Sequence, residues 1–227
     1  MDYFVVSNYL QTHYSALYMK NDCFDSKRFG VITLLTVGGV FLGICFLDRV
    51  IALGVMELLK LSPLVYRTTA NIPDLLLLLV CISTAAMWTI YFFLVKRGVD
   101  NEQTRFLRLA ATAVPVAYVL KSFLQFAFGR INTRAWLLVS GPIDFRLFQG
   151  TGERGGFPSG HMTVFTAFFA AVWCWYPRYR PLSASLLLTL GVALITTDYH
   201  FLSDVIAGAY AGLLVTVVSR RYLEKSC

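Results

Sequence analysis

Six long apolar segments constrain this chain more than any other feature of its sequence. They are 29–47, 75–95, 106–128, 160–177, 181–199 and 201–218. A helix of about 20 apolar residues crosses the hydrocarbon core of a bilayer, and each segment has about that length. Because 57% of the 227 residues are hydrophobic, a water-soluble fold would leave much apolar surface in water. The sequence therefore predicts an all-α polytopic membrane protein, a bundle of six transmembrane helices.

The residues before the first apolar segment predict a helix that lies on the membrane surface. Within 1–28, apolar residues such as Val6 and Leu10 recur at helical spacing opposite polar residues. We expect no cleavable signal peptide, since no basic stretch leads into an apolar core with a cleavage site. The predicted organisation is an N-terminal interfacial amphipathic segment 1–28, a six-helix transmembrane domain 29–218 and a cytoplasmic tail 219–227.

The distribution of Lys and Arg predicts which side of the membrane each loop occupies. With six spans both termini share a side, and that side carries more Lys and Arg than the loops 48–74 and 129–159. We therefore expect both termini in the cytoplasm and these two loops outside. The net charge of +7 is spread between apolar segments, which favours anionic lipid over nucleic acid as a partner.

Two of the three histidines stand at the predicted outer ends of spans. His161 opens the fourth span, and His200 precedes the sixth, with Asp204 four residues later on the same helical face. A carboxylate can hold one imidazole nitrogen as a donor and leave the other as a nucleophile or base. In a phosphoryl transfer, one imidazole can attack phosphorus while the other protonates the departing oxygen. The third histidine, His13, is assigned no role.

The turn into the fourth span predicts an anion site. Ser159 and Gly160 lead into a helix whose backbone N–H groups and positive dipole end suit an anion. Gly160 lets the backbone approach closely, and Ser159 can cap the helix or donate to an oxygen. Lys121 lies inside a predicted span, which indicates either a functional cation or an internal ion pair.

At these residues the sequence resembles the type 2 phosphatidic acid phosphatase superfamily of membrane phosphatases. The family's second motif is Pro-Ser-Gly-His, here 158–161, and its third ends in His-x-x-x-Asp, here His200 to Asp204. The resemblance covers about residues 75–218. It implies that His200 forms a phosphohistidine, that Asp204 supports it and that His161 is the general acid. It implies no metal or other cofactor.

Two departures from the family pattern concern phosphate binding. The third motif usually has Ser-Arg with the arginine six residues before its histidine, where this chain has Ala193 and Leu194. In the first motif, Lys121 and Arg130 are two residues too far apart, and on one continuous helix they would lie on opposite faces. A break at Gly129 would let both reach a phosphate. The candidate phosphate-binding residues are Lys121, Arg130, Arg154, Ser159 and Gly160, and Arg134 is either a further candidate or a solvated loop charge.

The sequence thus predicts a metal-independent phosphatase that removes phosphate from a lipid phosphate or diphosphate. We expect it in a bacterial cytoplasmic (inner) membrane with the active site facing outward, its partners being the bilayer and the phosphorylated lipid. Two alternatives remain: a phosphotransferase in which another lipid or a sugar replaces water, and a non-enzymatic lipid-binding or transport protein. Diacylglycerol phosphate, phosphatidylglycerol phosphate, polyprenyl diphosphate and lipid A phosphate all remain open as substrates, and the oligomeric state is left open.

Overall fold

The computed structural model describes residues 25–59, 72–139, 141–150 and 152–225, and the regular elements within these ranges are helices. Nearly all of the predicted amphipathic segment 1–28 lies outside the described residues. The helices are α1 (Ser26–Leu42), a π-helical turn (Gly43–Leu47), α2 (Asp48–Leu59), α3 (Ile72–Lys96), α4 (Glu102–Phe128), α5 (Thr133–Val139), α6 (Gly160–Trp175), α7 (Arg180–Thr196) and α8 (Leu202–Lys225). Single 3-10 turns occur at Gly152–Arg154 and Pro177–Tyr179.

Five helical stretches of the described chain are long and apolar enough to cross a membrane. They are Lys27–Leu58, Leu78–Lys96, Glu102–Phe128, Pro177–Thr196 and Leu202–Lys225. The fourth predicted span corresponds to α6, which is apolar but has only 16 residues. The prediction of an all-helical integral membrane protein is confirmed at this level, and the count of six spans stays a prediction.

The first helical stretch is longer than the sequence predicts. α1 continues through the π-helical turn directly into α2, so the helix does not end at Asp48. The helix is therefore continuous from the predicted span 29–47 into the predicted loop 48–74, and the point at which the chain leaves the membrane stays a prediction. Asp48 lies inside this stretch and is buried, with 1% of its surface exposed.

The helix α6 lies between α4, α7 and α8, and its contact with α8 is especially close. A Cβ atom added to Gly212 would lie 2.2 Å from the carbonyl oxygen of Thr163, and one added to Gly208 would lie 2.6 Å from that of Ser159. Small residues four positions apart allow two helices to approach to backbone contact, as is common in membranes. This packing holds the beginnings of α6 and α8 side by side.

The chain changes direction at the end of α4. Gly129 is the C-cap of this helix, with a left-handed φ of +54°, and its N–H donates to the carbonyl oxygen of Gln125. Glycine adopts this conformation without the steric cost that a Cβ atom would bring. The break predicted at Gly129 is confirmed, and it separates Lys121 on the helix from Arg130 beyond it.

Candidate active site

A cavity of about 480 Å³ lies among α3, α4, α5, α6 and the residues just before α8. Both histidines selected from the sequence, His161 and His200, line this cavity, as do Lys121 and Gly160. Further lining residues are Gln125, Asn132, Arg134, Glu153 and Tyr199. The structure thus brings two imidazoles, two basic side chains and the beginning of a helix around one space.

The two histidines converge because the beginnings of α6 and α8 are joined. The N–H of Ser159 donates to the carbonyl oxygen of Asp204 at 3.0 Å. The ring of Tyr199 contacts both imidazoles, with its centroid 5.8 Å from that of His161 and 5.4 Å from that of His200. Ser159 itself is fully buried, caps α6 by accepting the N–H of Met162 and does not line the cavity.

His200 is held through its Nδ1 atom. This nitrogen lies 3.1 Å from the carbonyl oxygen of Gly156 and 3.7 Å from Oδ2 of Asp204. Because a carbonyl oxygen can only accept, Nδ1 carries the proton, and Nε2 has the lone pair that a nucleophile needs. The sequence pointed to Asp204 as the orienting group. The contribution of Gly156 is made by its backbone, which no side-chain pattern reveals.

The carboxylate of Asp204 is fully enclosed beside His200. Its Oδ2 accepts the N–H of Phe201 at 3.1 Å, a contact typical of an acidic residue at the third position of a helix. Its Oδ1 accepts a hydrogen bond from Nη1 of Arg130. These donors fix the carboxylate at the beginning of α8.

Arg130 occupies a position that the sequence did not predict. Its side chain is fully buried, with Nη1 donating to Asp204 and, at 2.6 Å, to Oγ of Ser203, and with Nη2 donating to Oδ2 of Asp48 at 2.7 Å. It does not line the cavity, so a phosphate there could bind it only by displacing carboxylates. Asp48 was missed because it was placed in a loop, although an acidic residue within an apolar helical stretch is a signal for function.

Lys121 reaches the cavity from α4. Its Nζ donates to Oε1 of Gln125 at 3.3 Å and lies 4.4 Å from the centre of the Tyr118 ring. Gln125 in turn donates to the carbonyl oxygen of Pro158 at 3.1 Å, which ties α4 to the turn before α6. Among the described residues, no acidic side chain forms an ion pair with Lys121, so the geometry favours a functional cation over an internal ion pair.

Arg134 lines the cavity, whereas the residue at the position of the family's third-motif arginine does not. Leu194, which stands at the position of the family's arginine, is buried in an apolar cluster with Met162 and Val205. Arg134 comes instead from α5, with Nη2 donating to the carbonyl oxygen of Thr197 at 3.0 Å. It is thus positioned in the cavity rather than as a solvated loop charge.

Arg154 does not line the cavity. Its Nη1 donates to Oδ1 of Asp144 at 3.2 Å and to the carbonyl oxygen of Gly129 at 3.4 Å. Burial raises the pKa of Asp144, but hydrogen bonds from Arg146 and Arg154 outweigh it and hold this pKa below its ordinary value. Arg154 is therefore engaged in the connection between α4 and α6.

No group of three or more His, Cys, Asp or Glu side chains in the described ranges is arranged to hold a metal ion. The polar contacts of the His200 and Asp204 side chains include each other, Gly156, Phe201 and Arg130. That the reaction needs no metal stays a prediction from the resemblance.

Two histidines and two cations line one cavity at the joined beginnings of two membrane helices, an arrangement that suits the binding and transfer of a phosphoryl group. The model of the PAP2 superfamily matches residues 106–226, and the chain belongs to this superfamily. The predicted resemblance is thereby confirmed. The matched region contains both histidines and excludes Asp48.

Two relatives are lipid A 1-phosphatases. The protein from Rhizobium johnstonii is 39% identical over 85 residues, which are 36% of this chain and 35% of the relative. The protein from Rhizobium etli is 36% identical over 114 residues, which are 48% of this chain and 49% of the relative. The chain thus spans about a third to a half of the length of the curated relatives that it matches. No solved structure matches the chain.

Proposed function

We propose that this protein is a membrane lipid phosphatase that hydrolyses a lipid phosphate or diphosphate monoester through a phosphohistidine on His200. The observation that carries the proposal is that His161 and His200 line one cavity while Nδ1 of His200 is held by Gly156. Family membership supports the class of reaction. Because the two relatives are lipid A 1-phosphatases, lipid A 1-phosphate is the first substrate to test.

In the first step, Nε2 of His200 attacks phosphorus. A P–N bond forms as the P–O bond to the lipid breaks, and His161 donates a proton to the departing lipid oxygen. Lys121 and Arg134 balance the charge on the phosphoryl oxygens, together with the positive end of α6 at Gly160. The leaving group is the lipid alcohol from a monophosphate or the lipid monophosphate from a diphosphate, and the phosphoryl group stays on His200.

In the second step, water resolves the phosphohistidine. His161, now neutral, takes a proton from the water as its oxygen attacks phosphorus and the P–N bond breaks. Inorganic phosphate leaves, and both imidazoles return to their starting states. Throughout the cycle, Gly156 and Asp204 keep the His200 ring in one tautomer and orientation.

We place the reaction at the outer face of a bacterial inner membrane. The excess of Lys and Arg on the side of the termini supports this orientation, because positive loops favour the cytoplasm. Reconstituted protein of known orientation should release phosphate from lipid supplied only to the leaflet that contacts the 129–159 connection. Release only from the opposite leaflet would reverse the assignment.

The test of the proposed function is phosphate release by His200→Gln, His161→Gln and the matched control His13→Gln. His200→Gln should lower kcat by at least about 10³-fold, because the nucleophile is lost. His161→Gln should lower it by about 10²- to 10⁴-fold, the range of general acid catalysis. His13→Gln should behave as the parent.

The assay covers lipid A 1-phosphate, diacylglycerol phosphate, phosphatidylglycerol phosphate and polyprenyl diphosphate, each labelled in the phosphate. Label trapped on His200 after rapid quenching would support the phosphohistidine. Label that moves to another lipid or a sugar rather than to free phosphate would favour phosphotransfer. A folded His200→Gln protein that keeps the parent's release from every lipid would refute the proposal.

A further inference from the structure

A closed network of polar groups lies beside His200, and of its members only Asp204 has a part in the steps above. Asp48 accepts a hydrogen bond from Nη2 of Arg130 at 2.7 Å. It accepts two more from Ser203, one from the N–H at 3.0 Å and one from the Oγ hydroxyl at 2.5 Å. Arg130 also donates to Ser203 at 2.6 Å and to Asp204. The four side chains are at most 1% exposed. They therefore contact each other rather than solvent or the cavity.

A π-helical turn brings Asp48 into this network. The N–H of Asp48 donates to the carbonyl oxygen of Gly43, five residues earlier, instead of four as in an α-helix. Such turns shift the face that the following residues present and are frequent at functional sites. Gly43 itself lies against α8, since a Cβ atom there would be 2.9 Å from Cβ of Ser203. The π-helical turn in the first helical stretch thus places the carboxylate of Asp48 at the beginning of α8.

The charges of the network do not cancel. Two carboxylates around one guanidinium leave one negative charge, which burial makes costly unless donors or a nearby cation compensate it. The N–H groups of Ser203 and Phe201, at the positive end of α8, supply part of this compensation. The remaining negative charge acts on His200 by way of Asp204, because Oδ2 of Asp204 lies 3.7 Å from Nδ1 of His200.

We propose that Asp48 is a positioning residue of the site. By binding Arg130 and Ser203, it prevents Arg130 from neutralising Asp204 completely, and Asp204 keeps the negative charge that orients His200 and stabilises its ring as the P–N bond forms. The first helical stretch, which lies outside the family match, thereby belongs to the catalytic apparatus. This inference rests on the proposed function.

Other charged groups lie around His200 and keep their chemical identity when Asp48 is changed. They are Asp204 from α8, His161 from α6, Lys121 from α4, Arg134 from α5 and Glu153 from the connection before α6. Because a substitution at Asp48 leaves all of these side chains intact, a change in the pH dependence of catalysis reports on the network.

The experiment compares Asp48→Asn, which removes only the charge, with Asp48→Glu, which retains it. The matched control is Asp25→Asn, at the exposed N-cap of the same helical stretch, where Asn caps as well as Asp. Asp48→Asn should lower kcat by about 10- to 100-fold, as for other groups that orient a catalytic side chain. KM should change by less than about twofold, because Asp48 does not line the cavity.

The pH profile separates positioning from a loss of folded protein. Without the negative charge of Asp48, the neutral imidazole persists to lower pH, so the acidic limb of kcat/KM should move to lower pH in Asp48→Asn. In Asp48→Glu the acidic limb of kcat/KM should stay at the same pH as in the parent, even if the kcat of this variant is lower. A merely structural role would lower the rate equally at every pH. If Asp48→Asn does not fold, a displaced limb in Asp48→Glu would by itself overturn the proposal.

Orthovanadate, which mimics a five-coordinate phosphoryl group, provides a readout that needs no lipid. Calorimetric titration of the full chain in detergent should show binding about tenfold weaker in Asp48→Asn and unchanged in Asp25→Asn. If the parent binds orthovanadate but releases phosphate from no lipid, the proposed function is refuted, and the orthovanadate affinities of the parent and Asp48→Asn then decide the role of Asp48.

Equal kcat, pH profile and orthovanadate affinity in the parent and Asp48→Asn would overturn the positioning role. A parent that neither releases phosphate nor binds orthovanadate would overturn both proposals.

Discussion

Lys121 and Arg130 lie close together in the sequence, towards the end of α4 and just beyond it, but in contrasting environments. Lys121 lines the cavity, and its described contacts are with neutral groups, the amide oxygen of Gln125 and the ring of Tyr118. Arg130 is closed off from the cavity and donates to two carboxylates, those of Asp48 and Asp204. The same positive charge is thus available to an anion in one place and balanced within the protein in the other.

This difference indicates how two cations in different environments, Lys121 and Arg130, can contribute to one reaction. A cation among neutral groups gains most when an anion enters, since no protein carboxylate has to be displaced. A cation enclosed by carboxylates holds them in place, and removing it leaves them buried and unpaired. We therefore expect Lys121 to act on substrate binding and Arg130 to act on stability and on the orientation of His200.

The largest effect is expected for Arg130→Gln. The change leaves Asp48 and Asp204 buried without a counter-charge, which should cost about 3–5 kcal/mol of unfolding free energy and abolish most activity. The matched control is Arg105→Gln, where an exposed ion pair with Asp100 is broken at a cost of about 0–1 kcal/mol. Thermal unfolding in detergent and phosphate release measure the two effects.

A double variant sharpens this prediction. Adding Asp48→Asn to Arg130→Gln removes one of the two unpaired carboxylates, so the double variant should be more stable than Arg130→Gln alone. If the effects of the two changes simply add, the guanidinium is not shared between the carboxylates in the way that the distances indicate.

A smaller and different effect is expected for Lys121→Met. The loss of a charged donor to the phosphoryl oxygens should lower kcat/KM by about 10- to 100-fold, the range for a hydrogen bond to a charged group, and leave the unfolding temperature unchanged or higher. Lys121→Arg should retain part of the activity. Lys96→Met, at the exposed end of α3, is the matched control. A Lys121→Met protein that is unstable but keeps its kcat/KM would remove the contrast with Arg130.

Periodicity and local motifs were sufficient to predict the helical membrane fold and the helix break at Gly129. They also identified His161 and His200 as candidate site residues. Each of these depends on residues close together in sequence: apolar length, a glycine after a helix, or a histidine at a helix end. The structure adds that both imidazoles line one cavity. Their catalytic roles stay predictions.

The network around Arg130 could not be predicted in this way. Its partner Asp48 is 82 residues away along the chain and reaches it through a π-helical turn, for which the sequence has no local signal. The carbonyl group of Gly156 likewise carries no side chain to recognise. The sequence leaves two interpretations of Arg134 open, because the place of Arg134 in the cavity depends on how the connection after Gly129 folds.

The smallest effect is expected at Asp198, in the turn between α7 and α8, where Arg134 is the nearby cation. Burial raises the pKa of Asp198 to about 6, and the positive charge of Arg134 opposes this rise. Between the ordinary value of 3.8 and about 6, the folded protein binds more protons than the unfolded chain, so the contribution of Asp198 to stability falls as pH rises through this window. Asp198→Asn removes the charge and suits the left-handed φ of +52°.

The variant and the parent should therefore unfold at the same temperature at about pH 4, and above about pH 6 the variant should be more stable by a few degrees, measured by thermal unfolding at several pH values. A variant that is less stable than the parent at neutral pH would mean that attraction between Asp198 and Arg134 outweighs the cost of burial. In that case the charge of Arg134 is paired with a carboxylate, as that of Arg130 is. Lys121 is then the cavity-lining cation whose charge is available to a phosphate, because its described contacts are neutral.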